Sequence, residues 1–69
     1  MDKKELIMSN ALKLFANEGY EGCGIMKIVT VSEVTKPTLY HYFGSKEGLL
    51  RGIYEYHFTQ FLNRLENPR

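Results

Sequence analysis

The side chains best suited to binding a polar partner are concentrated in one stretch, TKPTLYHYFGSKEGL, from Thr35 to Leu49. It carries lysine ammonium groups and the hydroxyls of threonine and tyrosine, which donate hydrogen bonds to phosphate oxygens. A chain of 69 residues must bury most of its large apolar side chains to fold. The stretch is therefore either an unusually polar piece of core or a surface that contacts another molecule.

The sequence gives no comparable support for catalysis or metal binding. The chain has no nucleophile–base pair and no glycine-rich phosphate loop, and one short domain leaves little room for a pocket. Cys23 is the only cysteine, which excludes an internal disulfide and a cysteine-based zinc site. His41 and His57 have no metal-ligand spacing with it. We predict that the protein is not an enzyme, that Cys23 packs in the core and that His57 is packed or faces a partner.

Composition and charge indicate one small globular domain. The chain is 43% hydrophobic and 25% charged, and its net charge of +1 gives no general attraction to nucleic acid. Residues 34–51 carry a local charge of +2, which permits phosphate contacts without requiring them. No run approaches the ~20 apolar residues that cross a bilayer, and the start, MDKKELIM, does not resemble a signal peptide. We predict a cytoplasmic protein without membrane contact.

A first helix is predicted over about residues 2–17. Asp2 and Glu5 have the spacing of a capping box, and Gly19 stands where a glycine in the left-handed region ends a helix. Apolar residues at helical spacing form one face. They are Leu6, Ile7, Ala11, Leu14 and Phe15.

Two short helices are predicted next, over about residues 25–32 and 36–43. The first is rich in β-branched residues and could be a strand, but the spacing of its apolar residues favours a helix. The second has Thr35 as its N-cap and Pro37 in its first turn. Joined by about three residues, the two helices have the dimensions of a helix-turn-helix, whose second helix enters a DNA major groove. The same spacing fits any small helical bundle.

The third helix separates into an apolar and a polar side. Leu39 and Phe43 lie four residues apart and are expected to face the core. The other faces carry Lys36, Pro37, Thr38, Tyr40 and His41, with Tyr42 near the end. Lys36 is the long donor best placed for a guanine edge, and Pro37 offers an apolar edge to a thymine methyl. Taken alone, Tyr40 and Tyr42 fit equally well as half-buried tyrosines bonded to backbone carbonyls.

A long fourth helix is predicted over residues 46–67. Its N-cap, Ser45, with Lys46 beside it suits an anion, and Pro68 is expected to end the helix. Its apolar stripe consists of Leu49, Leu50, Ile53, Tyr54, His57, Phe58, Phe61, Leu62 and Leu65. The last four of these have no expected partner inside the domain. We expect either part of a longer protein or a small protein that dimerises through this helix.

Several motifs fall in register along these helices. They are Leu14-Phe15-Ala16, Gly19-Tyr20-Glu21, Ile25-x-x-Ile28 and Val34-x-Lys36-x-Thr38-Leu39-Tyr40-x-x-Phe43-x-Ser45-Lys46-Glu47-x-Leu49. Over about residues 5–56 the chain resembles the DNA-binding domain of TetR-family transcriptional repressors. The resemblance implies an all-α fold, with a three-helix, homeodomain-like helix-turn-helix domain over residues 1–45. Residues 46–67 would form a helix that leads toward a C-terminal ligand-binding and dimerisation region absent from this chain.

The resemblance also implies partners and contact residues. The protein would be a homodimer that binds a palindromic double-stranded DNA operator, without a cofactor in these residues, and any effector would bind the C-terminal region. Carried over by position, the base contacts are Lys36, Pro37, Thr38, His41 and Met26. The phosphate contacts are Tyr40, Tyr42, Lys46 and Gly24.

Three residues depart from the family pattern. Gly24 replaces the usual serine or threonine cap, which weakens the cap by a few tenths of a kcal/mol, although its amide can still reach phosphate. Glu33 stands where glycine is common and costs roughly 1 kcal/mol if its φ is positive, and it brings a carboxylate near DNA. Val29 replaces a small alanine, which predicts a slightly wider spacing between helices two and three.

A second functional hypothesis remains open at this point. The aromatic cluster and the stripe containing Phe58 and Phe61 could belong to a small helical protein-interaction or dimerisation module that does not bind DNA. That module would show concentration-dependent association and no salt-dependent DNA affinity. Sedimentation with and without duplex DNA separates the two functions.

Overall fold

The computed structural model describes residues 2–66 and contains four helices in that range. They are α1 (Lys3–Glu18), α2 (Ile25–Ser32), α3 (Lys36–Phe43) and α4 (Lys46–Glu66). No strand occurs among these residues. The all-α prediction is therefore confirmed, and the β-branched segment is a helix. The predicted helix end at Pro68 lies outside the described residues.

The ends of α1 are set by local interactions. The Asp2 carboxylate accepts the Glu5 N–H at 2.8 Å, and the Glu5 side chain accepts the Asp2 N–H, so the predicted capping box is present. At the other end Gly19 donates its N–H to the Phe15 carbonyl. Gly19 has φ 84° and ψ 151°, so the prediction of a positive φ is confirmed, but its ψ is extended rather than left-handed helical. A side chain on this residue would be strained.

The core lies where all four helices meet. α1 packs against α2 and α4, and α3 packs against the same two helices. The buried apolar residues are Ile7, Met8, Ala11, Cys23, Ile28, Val29, Leu39, Leu49 and Ile53. Leu14 and Phe15 pack against this core. Leu6, on the predicted apolar face, is 36% exposed, whereas Met8, which was not assigned to that face, is buried. The inner stripe of α1 runs through Ile7 and Ala11, and Leu6 lies at its border.

The turn between α2 and α3 contains a left-handed residue that is not glycine. Glu33 has φ 57° and ψ 42°, as the sequence analysis considered. Its N–H donates to the Thr30 carbonyl at 3.2 Å, and the Val34 N–H donates to the Val29 carbonyl at 3.1 Å. These bonds satisfy carbonyls that the end of α2 would otherwise leave open. They hold the turn despite a cost of roughly 1 kcal/mol for a residue with a Cβ.

The two halves of α4 differ in their surroundings. The first turn begins at Ser45, whose Oγ accepts the Gly48 N–H at 2.9 Å, which confirms the predicted N-cap. Leu49 and Ile53 are buried. Beyond Ile53 every described residue of the helix is exposed. No helix within residues 2–66 is long and apolar enough to cross a membrane.

Candidate nucleic-acid interface

α3 is anchored by one fully buried residue and exposes its polar side. Leu39 has no exposed surface and Phe43 packs against the core, as predicted. Lys36, Pro37 and His41 are exposed. The predicted contact residues of α3 are therefore at least partly exposed, which decides against the polar-core interpretation.

The first turn of α3 is organised by two threonines. The Thr38 N–H donates to Thr35 Oγ1 at 3.3 Å, so Thr35 is the N-cap. The two hydroxyl oxygens lie 2.9 Å apart and share a hydrogen bond. Thr38 is only partly exposed, and its hydroxyl belongs to this cap. Its predicted base contact would therefore compete with, or share, a bond that the free domain already makes.

The end of α3 carries three adjacent aromatic rings. The rings of His41 and Tyr42 meet edge to face, with centroids 5.6 Å apart, and those of Tyr42 and Phe43 are 6.1 Å apart. Tyr40 and Tyr42 are 39% and 40% exposed. More than half of each tyrosine is therefore covered by the protein, and the remainder is exposed. Supported rings with a polar tip suit contacts to phosphate oxygens.

Two further predicted contact residues, Gly24 and Met26, lie at the start of α2. Gly24 is the N-cap of α2 and makes no side-chain cap bond, as its lack of a hydroxyl implies. Met26, in the first turn, is 60% exposed. Lys27 forms an ion pair with Glu18 of α1. The hydrogen bond within this ion pair and the Glu18 charge raise the pKa of Lys27 above its ordinary value. The Lys27 ammonium therefore has a partner within the domain.

Lys46 is placed differently from the other predicted contacts. Its ammonium donates to the carbonyl of Tyr20, which lies 26 positions earlier in the chain. It lies 4.3 Å from the centroid of the Tyr20 ring and 5.9 Å from that of Phe15. The side chain is half-buried rather than extended into solvent. Its phosphate contact stays a prediction, because the ammonium already has a partner in the free domain.

Sequence reasoning missed one residue that positions this surface. A Cβ added to Gly48 would overlap the backbone carbonyl oxygen of Phe43, so the end of α3 approaches α4 across a glycine. Gly48 lies inside a helix, where its helix propensity is poor. A glycine three residues after an N-cap is the available sequence signal for such a close approach.

The comparisons with known proteins agree with this geometry. A family model described as "Bacterial regulatory proteins, tetR family" matches residues 7–53. The uncharacterized HTH-type transcriptional regulator YuxN of Bacillus subtilis (strain 168) is 36% identical over 66 residues, which are 96% of this chain and 23% of YuxN. The HTH-type transcriptional repressor NemR of Escherichia coli (strain K12) is 31% identical over 64 residues, 93% of this chain and 32% of NemR. No solved structure matches at a significant level.

The fold and these matches define the class: the chain belongs to the tetR family of bacterial regulatory proteins. The resemblance stated from the motifs is thereby confirmed, as is the prediction that the domain is not an enzyme, since the relatives are transcriptional regulators. The chain spans only about a quarter to a third of these relatives. Membership of this family does not favour the second functional hypothesis, a protein-interaction module that does not bind DNA.

Proposed function

We propose that this chain is the DNA-binding domain of a transcriptional repressor and that α3 enters the major groove of its operator. The observation that carries the proposal is the two-sided character of α3. Leu39 is fully buried, while Lys36, Tyr40, His41 and Tyr42 are exposed. A helix-turn-helix needs a recognition helix that is rigidly seated and polar on its free side.

The proposed contacts divide into two groups. Lys36, Pro37, Thr38, His41 and Met26 read base edges, with Lys36 on a guanine and Pro37 near a thymine methyl. Tyr40, Tyr42 and the amide of Gly24 bind phosphates and set the register of the domain on the duplex. Lys46 was predicted to join the second group and is treated separately below.

We further propose that the protein acts as a homodimer on a palindromic operator. Two copies of α3 would then enter successive major grooves about 34–36 Å apart. The linking helix α4 ends far from α3, because its 21 residues extend about 30 Å at 1.5 Å per residue. Dimerisation, effector binding and a cytoplasmic location are proposed for the whole regulator, by analogy with relatives three to four times as long as the matched region.

Selection of bound duplexes from a random pool tests the proposal, followed by titration of the selected duplex. Lys36→Ala should weaken binding by about 1–3 kcal/mol and relax base preference at one position. Arg64→Ala is the matched control, since it removes the same charge from the distal part of α4 and should leave affinity unchanged. Circular dichroism verifies that both variants are folded.

Two results would contradict the proposal. Simultaneous exchange of Lys36, Tyr40 and Tyr42 for alanine, with the fold intact and binding unchanged, would exclude α3 as the recognition helix. Selected sequences without an inverted repeat would exclude the palindromic operator while leaving the role of α3 in place.

A further inference from the structure

The half-buried ammonium of Lys46 ties the start of α4 to the loop between α1 and α2. It donates to the Tyr20 carbonyl and lies 4.3 Å from the centroid of the Tyr20 ring. The Phe15 ring is 5.9 Å from the same ammonium and meets the Tyr20 ring edge to face, with centroids 5.1 Å apart. A carbonyl and two aromatic rings therefore form a socket around one cation. Such contacts are strongest where water is partly excluded.

The socket is partly shielded from solvent by the rest of the domain. The Tyr20 hydroxyl is shielded from solvent and has no hydrogen-bond partner among residues 2–66. Burial raises the pKa of this phenol, and the charges of Glu47 and Glu21 raise it further. The surroundings of the socket thus combine low water access with carboxylates. The carboxylates favour a cation in the socket and disfavour an approaching phosphate.

The same turn of α4 also determines where α3 ends. The Gly48 N–H donates to Ser45 Oγ, and the Cα of Gly48 lies against the Phe43 carbonyl. In the chain, Lys46 lies between Ser45 and Gly48, which make these contacts. The loop after α1, the first turn of α4 and the end of α3 are therefore joined through three consecutive contacts.

We propose that Lys46 is a positioning residue: held in the Phe15–Tyr20 socket, it fixes the first turn of α4 and thereby the orientation of α3, and it does not bind phosphate. The proposal rests on the proposed DNA-binding function, which it deepens by assigning this lysine a role inside the domain. Lys46 is the one cation among the phosphate contacts that the resemblance implies. Its placement in the socket implies that the phosphates are bound mainly by hydroxyls and amides.

A direct test uses NMR of the free chain. Protons beside the lysine Nζ, held over an aromatic ring, should resonate upfield of those of an exposed lysine such as Lys4. Tyr20→Phe keeps the ring and should keep the upfield shift of Lys46, whereas Tyr20→Leu removes the ring and should abolish most of it. Lys46 protons at the position typical of exposed lysines would overturn the proposal. This measurement needs no DNA, so it decides the socket even if the domain fails to bind DNA.

The second test measures the role in binding. Lys46→Met keeps an unbranched side chain that can pack on the two rings, and its affinity for a short random-sequence duplex is measured over a range of salt concentrations. A positioning residue predicts several-fold weaker binding at every salt concentration, with the slope of log K against log salt unchanged. A phosphate ligand predicts a slope smaller by about 0.9, and that result would overturn the proposal. Unchanged affinity and slope would overturn it as well, since the orientation of α3 would then not depend on Lys46.

Discussion

α3 and the distal half of α4 both expose large side chains, but they expose different chemistry. Tyr40 and Tyr42 on α3 are 39% and 40% exposed, and each ring carries a hydroxyl. Phe58 and Phe61 on α4 are 61% and 54% exposed and carry no polar atom. The first surface can satisfy a polar, charged partner, whereas the second can only be satisfied by apolar contact.

The two regions also differ in how they are held. α3 has a buried leucine, a threonine cap and a close contact of its last residue, Phe43, with the neighbouring glycine Gly48. The distal part of α4 has no buried residue after Ile53 within the described range. A buried side chain anchors the polar surface of α3, whereas none is found in residues 54–66 of α4. This contrast fits the proposed function, in which α3 binds DNA and α4 links the domain to the rest of the regulator.

The largest expected effect on stability comes from removing the buried anchor of α3. Leu39→Ala should destabilise the domain by about 2–5 kcal/mol, because it empties a fully buried site. That loss is comparable with the whole stability of a domain of this size. Phe58→Ala on α4 should change stability by less than about 0.5 kcal/mol. Urea denaturation followed by circular dichroism measures both, and equal losses would show that α4 is as tightly packed as α3.

The close approach of α3 and α4 gives the next largest effect. Gly48→Ala would place a Cβ against the Phe43 carbonyl and should cost about 1–3 kcal/mol, despite the better helix propensity of alanine. Gly24→Ser serves as the control, since an added Cβ there meets no atom within 4 Å. A serine hydroxyl should improve the cap of α2 by a few tenths of a kcal/mol. Thermal unfolding of both variants distinguishes the two directions, and a stabilised Gly48→Ala would contradict the contact.

The smallest effect concerns the turn that presents α3. Glu33→Gly relieves a left-handed residue but adds chain entropy to the unfolded state, so it should stabilise the domain by only about 0.5–1 kcal/mol. Glu33→Gln keeps the φ of 57° and removes only the charge, so its stability should stay close to that of the parent chain. Chemical denaturation compares the two variants. If glutamine stabilised as much as glycine, charge rather than backbone strain would be the cause.

Much of this architecture was predictable because its signals are local. The capping box of Asp2 and Glu5, the caps at Thr35 and Ser45 and the periodic apolar residues each act within one or two turns of a helix. The division of α3 into an inner and an outer side follows from the same periodicity. Leu6 belongs to the predicted apolar face of α1 but is 36% exposed, whereas Met8 is buried, because periodicity defines a stripe but not its centre.

The sequence by itself determined the helices, their caps, the polar outer side of α3 and membership of the tetR family, since each depends on residues close together in the chain or on motifs in register. Only the tertiary structure decided where Lys46 points and why Gly48 is needed. Those answers depend on Tyr20 lying 26 positions away from Lys46 and on the angle at which α4 meets α3. A lysine beside an N-cap serves equally as a ligand for phosphate or as a cation under an aromatic ring, and only the packing of the loop after α1 separates the two roles.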